Sequence, residues 1–227
     1  MSGYRLANIH WNFYIELDEK WIAELYIEDK SYFQQTLMDL CQQMTIQEGP
    51  FTLSKDNKLI KFSKNIEIIM DYLRLDPNNK KVMTKIISRM EKYAQDDYVK
   101  LQKIMTEINS FYDELMYQGA FDLQRDTSVS LVNLLKVAGF SINNNFETLL
   151  ERLICYIETE NEYLDVPLFV LVNVDSYFND DEIKDLYDYM ILNNIKLIVI
   201  NSNLPKRDVE IEGVKRYIID RDLCELY

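Results

Sequence analysis

Glycine, histidine and long apolar runs are scarce in this chain, and each scarcity closes off a class of chemistry. The five glycines (Gly3, Gly49, Gly119, Gly139, Gly213) are scattered, and no stretch reads G-x-x-x-x-G-K-[ST]. A phosphate cradle needs clustered glycines because backbone N–H groups must approach the anion directly. His10 is the single histidine, which removes most Ser-His and Cys-His nucleophilic pairs and every multi-histidine metal site. The three cysteines, Cys41, Cys155 and Cys224, lie far apart without a C-x-x-C pair, so neither a disulfide framework nor a thiolate zinc site is expected. They read as reduced thiols of a cytosolic protein. No apolar run approaches the ~18 residues that suggest a membrane span, and the opening MSGYRLANIHW has no signal-peptide core. The expected location is the cytoplasm, and no set of catalytic residues emerges.

Positive charge is also short. Lysine and arginine number 25 against 38 acids, a formal charge of −13, which ordinarily argues against a nucleic-acid partner. Local fields rather than net charge decide such contacts. An acidic protein can hold DNA if its lysines gather on one concave face, particularly in a ring, or if divalent cations neutralise its acids.

What is present is core-forming material. Of 227 residues 48% are hydrophobic, with sixteen tyrosines and nine methionines, enough for one sizeable domain or a domain with an excursion. Residues 8 to 28 alternate polar and apolar around Asp18, Glu19 and Lys20, and predict a β-hairpin. A helix is predicted from Lys30 to Met44, where Phe33, Leu37, Leu40, Cys41 and Met44 recur at helical spacing. After Gly49 and Pro50, FTLSKDNKLIKFSK and IEIIMDYLRLD read as strands, closed by Asp76-Pro77-Asn78. From Asn79 to Gln118 no glycine or proline occurs. Forty helical residues would extend about 60 Å, so this leg projects from the domain or bends, with Gln95-Asp96-Asp97 as the expected bend. Its apolar stripe needs a partner, and coiled-coil packing on another subunit fits. Helical spacing resumes over Ser128 to Ala138 and Phe146 to Leu164. Then Leu168 to Val174 (LFVLVNV) and Lys196 to Ile200 (KLIVI) flank a polar helix and read as buried parallel strands joined by a crossover, with a last strand at Lys215 to Ile219. The predicted architecture is α/β, with a discontinuous head from residues 1–78 and 128–227 and an inserted helical leg over 79–127.

Candidate chemistry is sparse. His10, beside Trp11, reads as hairpin packing. Asn173, Asp175 and the run Asn179 to Glu182 sit where open α/β sheets bind ligands. They read either as a nucleotide site, with Asp175 holding magnesium in a divergent hydrolase, or as a helix cap with Asn179 at its start and Glu182 at its third position. Lys55, Lys58, Lys61 and Lys64 recur every three residues, so in a strand they alternate between faces and read as solvated. In the leg, Lys80, Lys81, Lys85, Arg89 and Lys92 are denser, and all but Lys80 share a helical face able to meet phosphates. Asp113, Glu114, Asp122 and Asp126 cluster after the long helix. Such hard oxygen donors suit calcium, although Arg125 within the cluster counts against a metal and capping serves as well.

Three stretches together resemble one family. ELYIEDKSYFQQTL (Glu24 to Leu37), IIMDYLRLDPNNKKVMTKI (Ile68 to Ile86) with its D-x-L-x-x-D-x-N strand end, and LLKVAGFSI with LFVLVNVDSYFNDDEIKDLYDYM are similar to the short form of the Csn2 family. These are adaptation proteins of type II-A CRISPR systems, and the resemblance covers nearly the whole chain. It implies an α/β head like that of P-loop ATPases but without the phosphate loop or the activity, plus a helical leg. It implies a homotetrameric ring that binds double-stranded DNA ends through a lysine-lined hole and supports spacer acquisition beside other adaptation proteins and the effector nuclease. The DNA contacts would come from Lys55, Lys58, Lys61, Lys64, Lys80, Lys81, Lys85 and Arg89. Calcium, which stabilises the ring in the family, would fall to Glu114, Asp122 and Asp126, with Gln124 and Arg125 departing from the acidic or neutral residues that pattern leads one to expect. A scaffold for other adaptation proteins that makes no DNA contact is the remaining alternative.

Overall fold

The fully buried strands lie together in the middle of one sheet. The computed structural model describes residues 3–17, 22–46, 48–119, 121–125, 129–204 and 211–227. In chain order come β1 (Tyr4–Asn8), β2 (Tyr14–Leu17), β3 (Ile22–Ile27), α1 (Lys30–Ile46), β4 (Phe51–Lys55), β5 (Lys58–Leu59), α2 (Phe62–Asn65) and β6 (Ile66–Ile69). They are followed by α3 (Lys80–Asp96), α4 (Tyr98–Tyr117), α5 (Leu131–Val137), α6 (Leu149–Leu164), β7 (Leu168–Val172), α7 (Asp180–Leu192), β8 (Lys196–Asn201), β9 (Val214–Ile219) and β10 (Glu225–Leu226). Two compact units result, one formed by Met1–Leu75 with Phe146–Tyr227 and the other by Asp76–Asn145.

The first unit is α/β, as the sequence predicts. Its larger sheet has the order β10-β9-β3-β8-β7-β6, with β9, β3, β8, β7 and β6 parallel and β10 antiparallel on the edge. Every residue of β3, β7 and β8 is buried, because both faces of the sheet are covered. Leu168, Val170, Ile198 and Ile200 point to one face, where Leu40 of α1 and the smaller sheet pack. Phe169, Leu171, Leu197 and Val199 point to the other, against Leu153 and Ile157 of α6 and Leu186 and Met190 of α7. The expected crossover is present, with β7, α7 and β8 forming a parallel unit.

The predicted hairpin over residues 8 to 28 does not form. β2 pairs with β1 in an antiparallel sheet of order β2-β1-β4-β5, whereas β3 lies between β8 and β9. The reason is burial. β2 alternates and needs one covered face, but Ile22, Ala23, Leu25 and Ile27 are apolar on both sides and need an interior position. The hairpin's expected tip, Asp18 to Lys20, lies outside the described residues. Glu24 is the one charge in this strand, and it is 1% exposed. It stands beside Arg216 in the β3–β9 register, pairs with it at 3.2 Å and accepts a hydrogen bond from Tyr187 Oη at 2.9 Å.

The second unit is helical. α3 and α4 are separated by Asp97 alone, whose φ of −112° and ψ of 60° break the helix. The bend thus falls within the expected Gln95-Asp96-Asp97 triplet. Asn79 caps α3 by accepting from Lys81 N and Val82 N. The unit runs on to Asn145, taking in α5 and the following segment, which the expected boundary at residue 127 places in the head. Asn78 ties that segment in, donating to Ile142 O at 3.0 Å and accepting from Ile142 N at 2.7 Å. Periodicity identifies α5 as a helix but carries no sign of this long-range pairing.

Candidate nucleic-acid interface

The β4–β5 turn brings together two lysines that strand spacing separates. Asp56 and Asn57 both adopt positive φ, 51° and 61°, as the two central residues of a tight hairpin turn do. Lys55 and Lys58 therefore become a cross-strand pair on one face, correcting the expectation that they alternate between faces. Counting along one strand could not reveal this. Like charges set directly opposite are unfavourable without an anion between them. Lys55 extends its ammonium over the Tyr4 ring, 5.0 Å from the centroid, while Lys58, Lys61 and Lys64 are exposed. Lys61 precedes α2 and Lys64 lies in its last turn. In the helical unit Lys80, Lys81, Lys85 and Lys92 are exposed and Arg89 is half-buried.

The carboxyl ends of the parallel strands are acidic. Between the end of β3 and the start of α1 stand only Glu28 and Asp29. Glu28 N donates to Ile219 O at 2.9 Å, and the Asp29 carboxylate accepts from Tyr32 N at 2.7 Å. The protein's own carboxylate thus satisfies the helix end that could otherwise hold a phosphate. At the end of β7, Asn173 takes positive φ, 55°, and its Oδ1 accepts from Ser202 N and Oγ at 3.2 and 3.3 Å. Asp175 accepts from Asn201 Nδ2 at 2.8 Å. Asn179 and Glu182 form a reciprocal capping box at the start of α7, so this part of the acidic run serves the helix. Beneath the end of β7, Tyr72 donates to Val172 O at 3.0 Å, and burial pushes its phenol well up.

No activated nucleophile stands out among the described residues. Desolvation pushes the Cys41 and Cys155 thiols up, away from the reactive thiolate. His10 is exposed, its backbone N–H bonded to Asn8 Oδ1 at 2.9 Å. The buried aromatic of that turn is Trp11, stacked on Phe13 at 5.1 Å, so the expected packing role belongs to the neighbour.

Glu114 and Asp122 are exposed, and Asp126 lies outside the described residues. Among the described residues no group of three or more histidines, cysteines or acids is placed to hold a metal. Asp113 is instead taken by Arg125, whose Nη2 lies 2.8 Å from Asp113 Oδ1. Only the presence of Arg125 in the cluster hinted at this in the sequence.

No helix among the described residues is long and apolar enough to cross a membrane. In comparison with known proteins, the chain is similar to a nucleotide-free ATP-binding cassette from an ABC transporter, with a TM-score of 0.49 and 11% identity over 99% of this chain and 91% of that one. It is also similar to the ADP conformation of another ABC-transporter cassette, with a TM-score of 0.44 and 11% identity over 90% and 83% of the two chains. At the sequence level it is 24% identical over 201 residues to a CRISPR-associated protein Csn2 of Streptococcus agalactiae, covering 87% of each. To a CRISPR-associated protein Csn2 of Enterococcus faecalis it is 20% identical over 163 residues, 70% of this chain and 71% of that one. The family model described as CRISPR-associated protein (Cas_Csn2) matches residues 43–223. With that match spanning most of its length, the chain belongs to the Csn2 family of CRISPR-associated proteins.

Proposed function

We propose that this chain is a non-enzymatic, double-stranded-DNA-binding protein of CRISPR adaptation, which as a homotetrameric ring encircles linear DNA ends and supports spacer acquisition beside other adaptation proteins and the effector nuclease. The observation that carries the reading is the Lys55–Lys58 pair. Two lysines set opposite each other across a hairpin, in a chain of net charge −13, are unfavourable alone and become favourable around a phosphate. Exposed Lys61 and Lys64, and Lys80, Lys81 and Lys85 with half-buried Arg89 on the helical unit, would supply further contacts.

The mechanism is electrostatic. Lysine ammoniums meet phosphates without reading base edges, so binding is insensitive to sequence and weakens steeply with salt. The acidic carboxyl edge of the sheet and the two-residue β3–α1 link support a role without nucleotide hydrolysis, because Asp29 already satisfies the start of α1. Threading makes topology decisive. In a mobility shift, a linear duplex is expected to bind and a covalently closed minicircle of the same sequence to bind at least about tenfold more weakly, since it lacks an end to enter the hole. Equal binding of the two overturns encirclement. Tight ATP binding that Asp175→Ala abolishes would instead favour a divergent magnesium-dependent hydrolase.

A further inference from the structure

One face of α4 offers the oxygens a hard cation favours. Asn109 and Asp113 are one helical turn apart, and they present an amide oxygen, a backbone carbonyl and a carboxylate. Asn109 Nδ2 donates to Met105 O at 2.8 Å, which fixes the amide with its oxygen turned the other way. These are ligand types that calcium accepts. The group that takes them is the guanidinium of Arg125. Its Nε and Nη2 donate to Asp113 Oδ1 at 3.1 and 2.8 Å. Its Nη1 donates to Asn109 Oδ1 at 3.0 Å and its Nη2 to Asn109 O at 3.3 Å. The Tyr112 ring lies 5.7 Å from the guanidinium carbon, adding a cation–π contact.

We propose that Arg125 is a tethered cation that does, within the helical unit of this chain, the work a bound divalent ion is expected to do in the family. The guanidinium draws residues 121–125 back over α4 and neutralises Asp113 there. Its planar fork meets these oxygens with several donors at once, as an ammonium cannot. Because the positive charge is covalently attached, it is retained in chelator. A calcium ion would have to displace it or bind against its repulsion. Order in the 121–125 segment is therefore independent of calcium.

The full chain tests this without DNA, so the outcome stands apart from the proposed DNA binding. Thermal unfolding and solution mass are measured in chelator and in millimolar calcium, with calcium titrated by calorimetry. The expected result is the same Tm and mass in both conditions and no calcium binding heat. Stoichiometric calcium binding, or a Tm that rises by several degrees with calcium, overturns the proposal. Arg125→Asp then removes the tethered charge and adds a carboxylate to the same oxygens. This variant is expected to be less stable than wild type in chelator and to regain stability with calcium. If it is unfolded in chelator, refolding on calcium addition is the supporting outcome. A variant indifferent to calcium shows that these oxygens are not a cation site, and also overturns the proposal.

Discussion

Glu24 is a single charge in the middle of a fully buried parallel strand, and its partners explain why it is tolerated. Its carboxylate is held by Arg216 at 3.2 Å and by the Tyr187 hydroxyl at 2.9 Å. Arg216 also stacks on Tyr26, 5.6 Å from the ring centroid. A slip of one residue in the β3–β9 pairing would turn Glu24 to the opposite, apolar face, so the pair also specifies register. Arg216→Ala leaves the carboxylate buried beside a weakened set of donors. Because the Arg216 side chain is 33% exposed, the loss is expected to be about 2 kcal/mol, below the 3–5 of a fully buried pair. A lowered denaturant midpoint with an unchanged m value checks it, and an unchanged midpoint would show that the pair contributes nothing net. Glu24 illustrates a residue whose type is visible in the sequence but whose partner is not. Arg216 lies 192 residues away, and no spacing rule reaches that far.

At the scale of elements, α6 and α7 are tied by a hydrogen bond from the Tyr189 hydroxyl to the Glu158 carboxylate. That bond, with desolvation added, pushes the Tyr189 phenol up to about 12. In the unfolded chain a tyrosine loses its proton near pH 10. Between these values the unfolded state gives up a proton that the folded state retains. The contribution is therefore complete below pH 10 and is lost as pH rises from about 10 to about 12. Denaturation midpoints measured across this window are expected to fall more steeply in wild type than in Tyr189→Phe. Tyr72, also raised, remains in both proteins and drops out of the comparison. Equal slopes would mean that the α6–α7 bond does not form in solution. Elements differed in how legible they were. The apolar runs of β7 and β8 and the cap at Asn179 follow from local sequence, because burial on two faces and orphan N–H groups are local demands. The split of β2 and β3 between two sheets was not local, since alternation over residues 8 to 28 fits a hairpin equally well.

For the whole molecule, the proposed DNA binding sets a polyanionic partner against a formal charge of −13. Charges farther apart than the ~8 Å screening length at physiological salt are largely hidden from one another, so a local lysine array can act against an opposite overall sign. The slope of log affinity against log salt is expected to be strongly negative, and Lys58→Ala to reduce its magnitude by about 1 for each contacting subunit while weakening all duplex sequences alike. An unaltered slope would remove Lys58 from the interface. The hairpin lysines were legible individually, but their pairing depends on the positive φ of Asp56 and Asn57, which brings Lys55 and Lys58 opposite each other.

By itself the sequence determined the α/β class, the apolar strands of the interior, the break in the long helix near Asp97 and the absence of a phosphate loop. All of these rest on residues close together in the chain, through periodicity, capping and backbone freedom. Only the tertiary structure decided that β3 leaves β2 for the larger sheet, that Lys55 and Lys58 form one pair, and that Arg125 occupies the oxygens of Asn109 and Asp113. Those outcomes depend on which distant or turn-related groups meet, and hence on the competition to cover both faces of a sheet and to pair each desolvated charge.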